Sequence, residues 1–270
     1  MLKHRLIPNI IINNGNIVQS INFKHTNVIG NAITAVDFFN SWAVDEIIIL
    51  DVSRTREERE KFHKIISGLS KRCFIPLTIG GWVSDLAEIK KLLNEGADKV
   101  SINTEAVKNP ELIKIASAAY GSQCIVSSID VKKNSLGRYK VMIDRGRIET
   151  TFDPINWAIE VEKLGAGEIL LTSIDHDGSR NGYDLELIKK ISDSVSIPVV
   201  AFGGVGNWQH LVDGINIGHA DAVSAANIFH FTEHSTYNAK EFMINSGLNV
   251  RKSKFYQLPI PRRPKYNEIF

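Results

Sequence analysis

Carboxylates and paired glycines at the ends of short apolar runs are the residues of this chain that could do chemistry. Asp130 closes the run Cys124–Asp130, where a carboxylate can serve as general acid or base, or simply accept a loop hydrogen bond. Gly80-Gly81 and Gly203-Gly204 follow two other runs, and Asn103-Thr104 and Ala226-Asn227 end the runs that come after them. Backbone N–H groups approach an anion closely only where side chains are absent, so these pairs suit two phosphate cradles. Glycines in such places also make plain turns, but two symmetric pairs favour cradles and a ligand phosphorylated at both ends. His230 and His234 have the i, i+4 spacing of a metal pair, yet lack the HExxH order and a third ligand. They read as surface or capping histidines, so no metal is expected. There is no Walker loop and no nucleophile elbow, and no cofactor is expected.

The elements that must position these residues alternate regularly. Leu6–Ile12, Glu46–Asp51, Ile75–Ile79, Val100–Asn103, Cys124–Asp130, Glu168–Ile174, Pro198–Phe202 and Val223–Ala226 read as eight strands. Helices lie between them, with Asn31, Ser84, Asp184 and Asn207 as caps and Pro110 and Pro154 at helix starts. The first strand is followed by a loop, and Lys132–Thr151 reads as a hairpin inserted after the fifth. Glu46 has its echo in Glu168 (168 − 46 = 122) and Asp98 in Asp221 (221 − 98 = 123). Eight strand–helix units with a two-fold repeat predict a single α/β domain over residues 1–252, a closed (β/α)8 TIM barrel made of two half-barrels. A basic, proline-containing tail follows over 253–270.

Composition excludes several classes. A net charge of +2 over 270 residues gives no reason to expect nucleic acid or an anionic membrane surface as partner. Cys73 and Cys124 follow no metal or redox spacing and point to a reducing compartment. No segment approaches the roughly 20 apolar residues of a membrane span, and the first residues do not read as a signal peptide, so a cytoplasmic location is expected.

The segments FKHTNVIGNAITAV, DEIIILD, GADKVSINTEAVKNP, VEKLGAGEILLTSIDHDG and DAVSAANIFHF resemble HisF, the cyclase subunit of imidazole glycerol phosphate synthase. The resemblance runs over about residues 1–252. It implies a HisH-like glutaminase docked on the N-terminal face of the barrel, in a heterodimer, with ammonia passing a charged gate and crossing the barrel. Arg5, Glu46, Lys99 and Glu168 stand at the gate positions, Asp98 at a glutaminase contact, and Thr78 and Ser101 at tunnel positions. Residual phosphate positions are Gly80, Gly81, Asn103, Thr104, Asp177, Gly178, Gly203, Gly204 and Ala226, so a phosphorylated ligand at the C-terminal face is expected.

The mouth departs from that pattern. Asp130 matches one catalytic aspartate, but Ile11 stands where the other would be, and isoleucine cannot transfer a proton. Gln19 replaces a substrate-holding lysine, Trp82 a glycine of the phosphate loop, Phe202 a small polar residue and Asn227 a serine. This combination resembles the HisF paralogues called WbuZ, proposed to supply ammonia to a sugar amidotransferase of surface-polysaccharide synthesis. The implied function is ammonia conduction for amidination of a bacterial surface sugar. The alternatives are a histidine-pathway cyclase, and a scaffold that only activates the glutaminase.

Overall fold

The computed structural model describes residues 3–41, 44–230 and 234–252. The expected tail over 253–270 lies outside them. Among the described residues the strands are β1 (Arg5–Asn13), β2 (Asn16–Ile21), β3 (His25–Gly30), β4 (Ile47–Asp51), β5 (Leu77–Gly80), β6 (Lys99–Ile102), β7 (Ile125–Lys133), β8 (Tyr139–Ile143), β9 (Ile148–Glu149), β10 (Glu168–Ser173), β11 (Val199–Phe202) and β12 (Ala222–Ala225). Eight of them run parallel in the order β1-β4-β5-β6-β7-β10-β11-β12, and β12 pairs back onto β1. The sheet is therefore closed, and the fold is a (β/α)8 TIM barrel.

Helices α1 (Ala32–Ser41), α2 (Arg56–Ser70), α3 (Leu86–Asn94), α4 (Thr104–Lys108), α5 (Glu111–Tyr120), α6 (Pro154–Lys163), α7 (Leu185–Ser192), α8 (Trp208–Asn216) and α9 (Ser235–Asn245) lie between the barrel strands and after the last. Strand alternation explains why the core has two parts. Leu6, Ile10, Ile12, Ile47 and Ile49 belong to the layer between strands and helices, whereas Ile7, Ile11, Ile48, Val126, Leu170, Val200, Phe202 and Ala222 form a separate cluster inside the barrel. No helix among the described residues is long and apolar enough to cross a membrane.

Three local expectations need correction. Ser84 does not cap α3; the Asp85 carboxylate accepts from the Glu88 N–H, and Ser84 only donates to that carboxylate. The charged acceptor one residue later fits the cap geometry better. Asn109-Pro110 does not open the first helix after β6, because the short α4 comes before it. The segment after β1 is not a plain loop but the hairpin β2–β3. Asn14-Gly15, at φ 47° and 78°, makes a two-residue turn, and Asn13 pairs with Asn16 across it. That Asn-Gly signal stood in the sequence beside an apolar run.

The two-fold repeat has a physical expression at the strand feet. The Asp98 carboxylate accepts from the Leu77 N–H at 2.8 Å, while the Asp98 N–H donates to the Leu77 carbonyl at 2.8 Å. Asp221 clips Val199 in the same way, at 2.9 and 3.0 Å, and Asp45 clips Leu6 at 2.9 and 3.3 Å. Each clip ties the start of one strand to its neighbour and fixes parallel register there. The position equivalent to Asp45 in the second half is Gly167, where a Cβ would meet the Ser122 carbonyl at 2.2 Å.

Candidate functional site

Side chains at the starts of four strands, with Glu46 just before β4, meet at the N-terminal floor of the barrel. Glu46 and Glu168, almost fully buried, face Arg5 and Lys99, which are about three-quarters buried. Arg5 donates to Glu46 at 2.8 Å and to Glu168; Lys99 donates to Glu46 at 2.8 Å and to Glu168 at 2.7 Å. Every cation touches both anions, so the four groups close a ring with no net charge. Burial works against the Arg5 charge, but the two carboxylates outweigh it and hold its pKa above the ordinary value. This mutual neutralisation is what lets two carboxylates sit in the floor of a core. Thr78 Oγ1 donates to Glu46 at 2.5 Å on the barrel side of the ring. Asp98 is exposed beside it, its carboxylate held by the Leu77 clip.

Above the ring the interior is mostly apolar, with a few polar groups set into it. Ser101 and Ser224 hydroxyls and the Asn9 side-chain amide are buried without a protein hydrogen-bond partner among the described residues. Asn9 alternates with Ile7 and Ile11 along β1, so it shares their inward face. That spacing could have singled Asn9 out in the sequence.

At the C-terminal end lies a cavity of about 860 Å³, into which Ile11, Ser101, Asn103, Ser128, Asp130, Thr172, Phe202 and Ala226 face. The Asp130 carboxylate accepts from Asn103 Nδ2 at 3.2 Å. Burial pushes its pKa up to about 7; a Thr172 hydrogen bond opposes the shift, and the charge of Asp177 adds to it. A carboxylic acid so poised can give or take a proton near neutrality. Ile11, at the position where the resemblance implies a second aspartate, is buried in the interior cluster and gains about 2 kcal/mol from that burial.

Two of the expected phosphate positions, Asp177 and Thr104, make hydrogen bonds to the hairpins. Asp177 accepts from the Ser20 hydroxyl at 2.7 Å and the Phe23 N–H at 3.1 Å, seating the β2–β3 hairpin on the barrel mouth. Gly178, at φ 72°, lies so close beneath that hairpin that a Cβ would meet the Ser20 carbonyl at 2.8 Å. Thr104 Oγ1 accepts from the Asp144 N–H at 3.0 Å, holding the turn of the inserted β8–β9 hairpin. Gly80 packs against Leu50 and Ser101, and Gly81 against the Asp51 carbonyl. Gly203 lies against the Ser173 carbonyl, and Gly204 pairs with Gly182, accepting its N–H at 2.8 Å. Of the glycines expected at the two cradles, Gly81 lines the cavity, and so do Ala226 and Asn227 opposite. Asn227 donates to the Ser20 carbonyl at 3.3 Å. Gln19 lies on β2 and pairs with Asn27 of β3.

Trp82, at φ 58°, sits at the cavity rim with its Nε1 donating to the Ser53 carbonyl at 2.8 Å. Arg54, Arg145 and Arg147 line the same side and were not singled out in the sequence. Arg145 belongs to the turn of the inserted hairpin, and only the fold brings it beside the end of β4. His230 packs edge-on against Phe39, and burial pushes its pKa down to about 4. His234, at φ 55°, precedes α9 as its N-cap residue. Among the described residues no group of three or more His, Cys, Asp or Glu side chains is arranged to hold a metal ion.

A family model described as "Histidine biosynthesis protein" matches residues 5–235. A Vibrio vulnificus (strain YJ016) protein named "Putative imidazole glycerol phosphate synthase subunit hisF2" is 49% identical over 253 residues, covering 94% of this chain and 93% of its own length.

Proposed function

We propose, from the premise that this chain belongs to the histidine biosynthesis protein family, that it is the ammonia-conducting barrel of a glutaminase complex. The observation that carries this reading is the closed ring of Arg5, Glu46, Lys99 and Glu168 under a mouth whose acid–base pair is broken at Ile11. A neutral ring with two cations and two anions can part at one ion pair without leaving either carboxylate bare, because each keeps a second partner. Ammonia released below by a HisH-like glutaminase then enters an interior where Thr78, Ser101, Asn9 and Ser224 offer hydrogen bonds. The nitrogen serves amidination of a bacterial surface sugar by an amidotransferase at the other end.

The test couples the barrel to its cognate glutaminase and acceptor enzyme. Lys99→Ala and Arg5→Ala are expected to cut glutamine-dependent product at least tenfold while leaving product from added ammonia in place. Unchanged glutamine-dependent product in both variants sinks the conduit.

A second reading, the cyclase of imidazole glycerol phosphate synthesis, is favoured by Asp130, whose pKa of about 7 suits proton transfer. It requires turnover of the bisphosphorylated ribulosyl precursor with free ammonia, and loss of that turnover in Asp130→Asn.

A further inference from the structure

Two consecutive carbonyls in the loop after β4 gather groups from distant parts of the chain. Val52 O accepts from Arg145 Nη1 at 2.8 Å, and Ser53 O accepts from Trp82 Nε1 at 2.8 Å. Arg54 is the next residue, so two guanidinium groups and an indole share one wall of the cavity. Arg147 stands close by, paired with Asp144 at 2.7 Å.

None of the ion pairs among the described residues involves Arg54 or Arg145. Partial burial lowers the Arg145 pKa, and Arg147 and Arg54 lower it further against the opposing charges of Asp144 and Asp51. One of its five N–H donors goes to Val52, and the fork remains for an oxyanion. The neighbouring carboxylates are engaged: Glu58 in the α2 capping box, Asp51 with Arg59, Asp144 with Arg147. Glu105 is the exception, a lining carboxylate with no recorded partner among the described residues. Ile11, Phe202 and Ala226 make an apolar stretch of the remaining lining, which also holds Lys24, Asp177 and Asp130, the last with its pKa raised to about 7.

The geometry points to an anion site made of side chains in place of a backbone cradle, in which Arg54 and Arg145 take a phosphate group and Trp82 stacks under a flat ring. Guanidinium forks match phosphate oxygens, and an indole fixed by its N–H presents a rigid stacking face. The ligand class is a nucleotide, with its diphosphate on the arginine wall. A cavity of about 860 Å³ is of the right size for it. This site stands independently of where ammonia comes from.

The full chain is titrated calorimetrically with a nucleoside diphosphate, the matching nucleoside and inorganic pyrophosphate. The nucleoside diphosphate is expected to bind at least about tenfold more tightly than either fragment, a difference of about 1.4 kcal/mol. Arg145→Ala and Arg54→Ala should each weaken it by about tenfold or more, and Trp82→Leu should reduce it to the affinity of pyrophosphate. Arg145→Lys, which keeps the charge and loses the fork, should fall between wild type and alanine and guards against a folding artefact. No saturable binding, or affinity indifferent to both arginines, overturns the site. Pyrophosphate binding as tightly as the nucleoside diphosphate overturns the stacking role of Trp82. The titration contains neither glutaminase nor ammonia, so its failure and failure of the conduit are read separately.

Discussion

Asp130 shows how one residue can carry two meanings, and pH separates them. Its folded pKa of about 7 lies above the ordinary carboxylate value, so between about pH 4 and pH 7 the native chain holds a proton that the unfolded chain has released. The stability from this group is fully present below about pH 4 and is lost as pH rises through about 7. Asp130→Asn should remove that dependence and leave the variant more stable than wild type at pH 8 by roughly 1–3 kcal/mol, measured by urea unfolding across pH. Ile11 gives a second expectation: Ile11→Asp loses apolar burial and places a carboxylate in the interior cluster, so a fall of about 3 kcal/mol or more is expected in the same assay. Both positions were legible in the sequence, because a strand end is visible in an apolar run. Arg145 was not, because nothing local to a hairpin turn says which carbonyl it will reach 93 positions away.

Helices and hairpins divide into those that propensity foretells and those that contact decides. The barrel strands and most helix starts could be read from apolar runs and capping residues, yet α3 begins on Asp85 and not Ser84. Asp85→Ala should therefore cost about 1 kcal/mol and Ser84→Ala under about 0.5, by urea unfolding at neutral pH. The β2–β3 hairpin depends on a distant partner. Its tip is held by Asp177, a residue that had been expected on a phosphate, and no sequence signal links positions 20 and 177. Asp177→Ala should raise hydrogen exchange across Asn16–Gly30 severalfold while the barrel strands keep their protection. Equal deprotection of β10 and β11 would show that the carboxylate holds the barrel and not the hairpin.

For the molecule as a whole, the floor ring is a unit whose parts are worth less than the whole. Lys99→Met leaves two buried carboxylates with Arg5 as their shared cation and should destabilise by about 3 kcal/mol. Adding Glu168→Gln should restore more than half of that loss, because the surplus charge goes with it; strict additivity in urea unfolding would mean that the groups act separately. The barrel class and its repeat were plain in the sequence because β-α alternation is periodic. That the ring closes was not, since Arg5 and Glu168, 163 positions apart, meet only after the sheet has closed on itself. The clips at the strand feet bear on how such experiments are read. A variant at Asp98 frees the Leu77 N–H as well as changing the exposed surface, so a lost partner and a slipped strand would look alike. Asp221 holds Val199 by the same two hydrogen bonds in the other half of the barrel. The two-fold repeat thus supplies a matched control within one chain: what Asp98→Ala does beyond Asp221→Ala belongs to the surface, and what they share belongs to the fold.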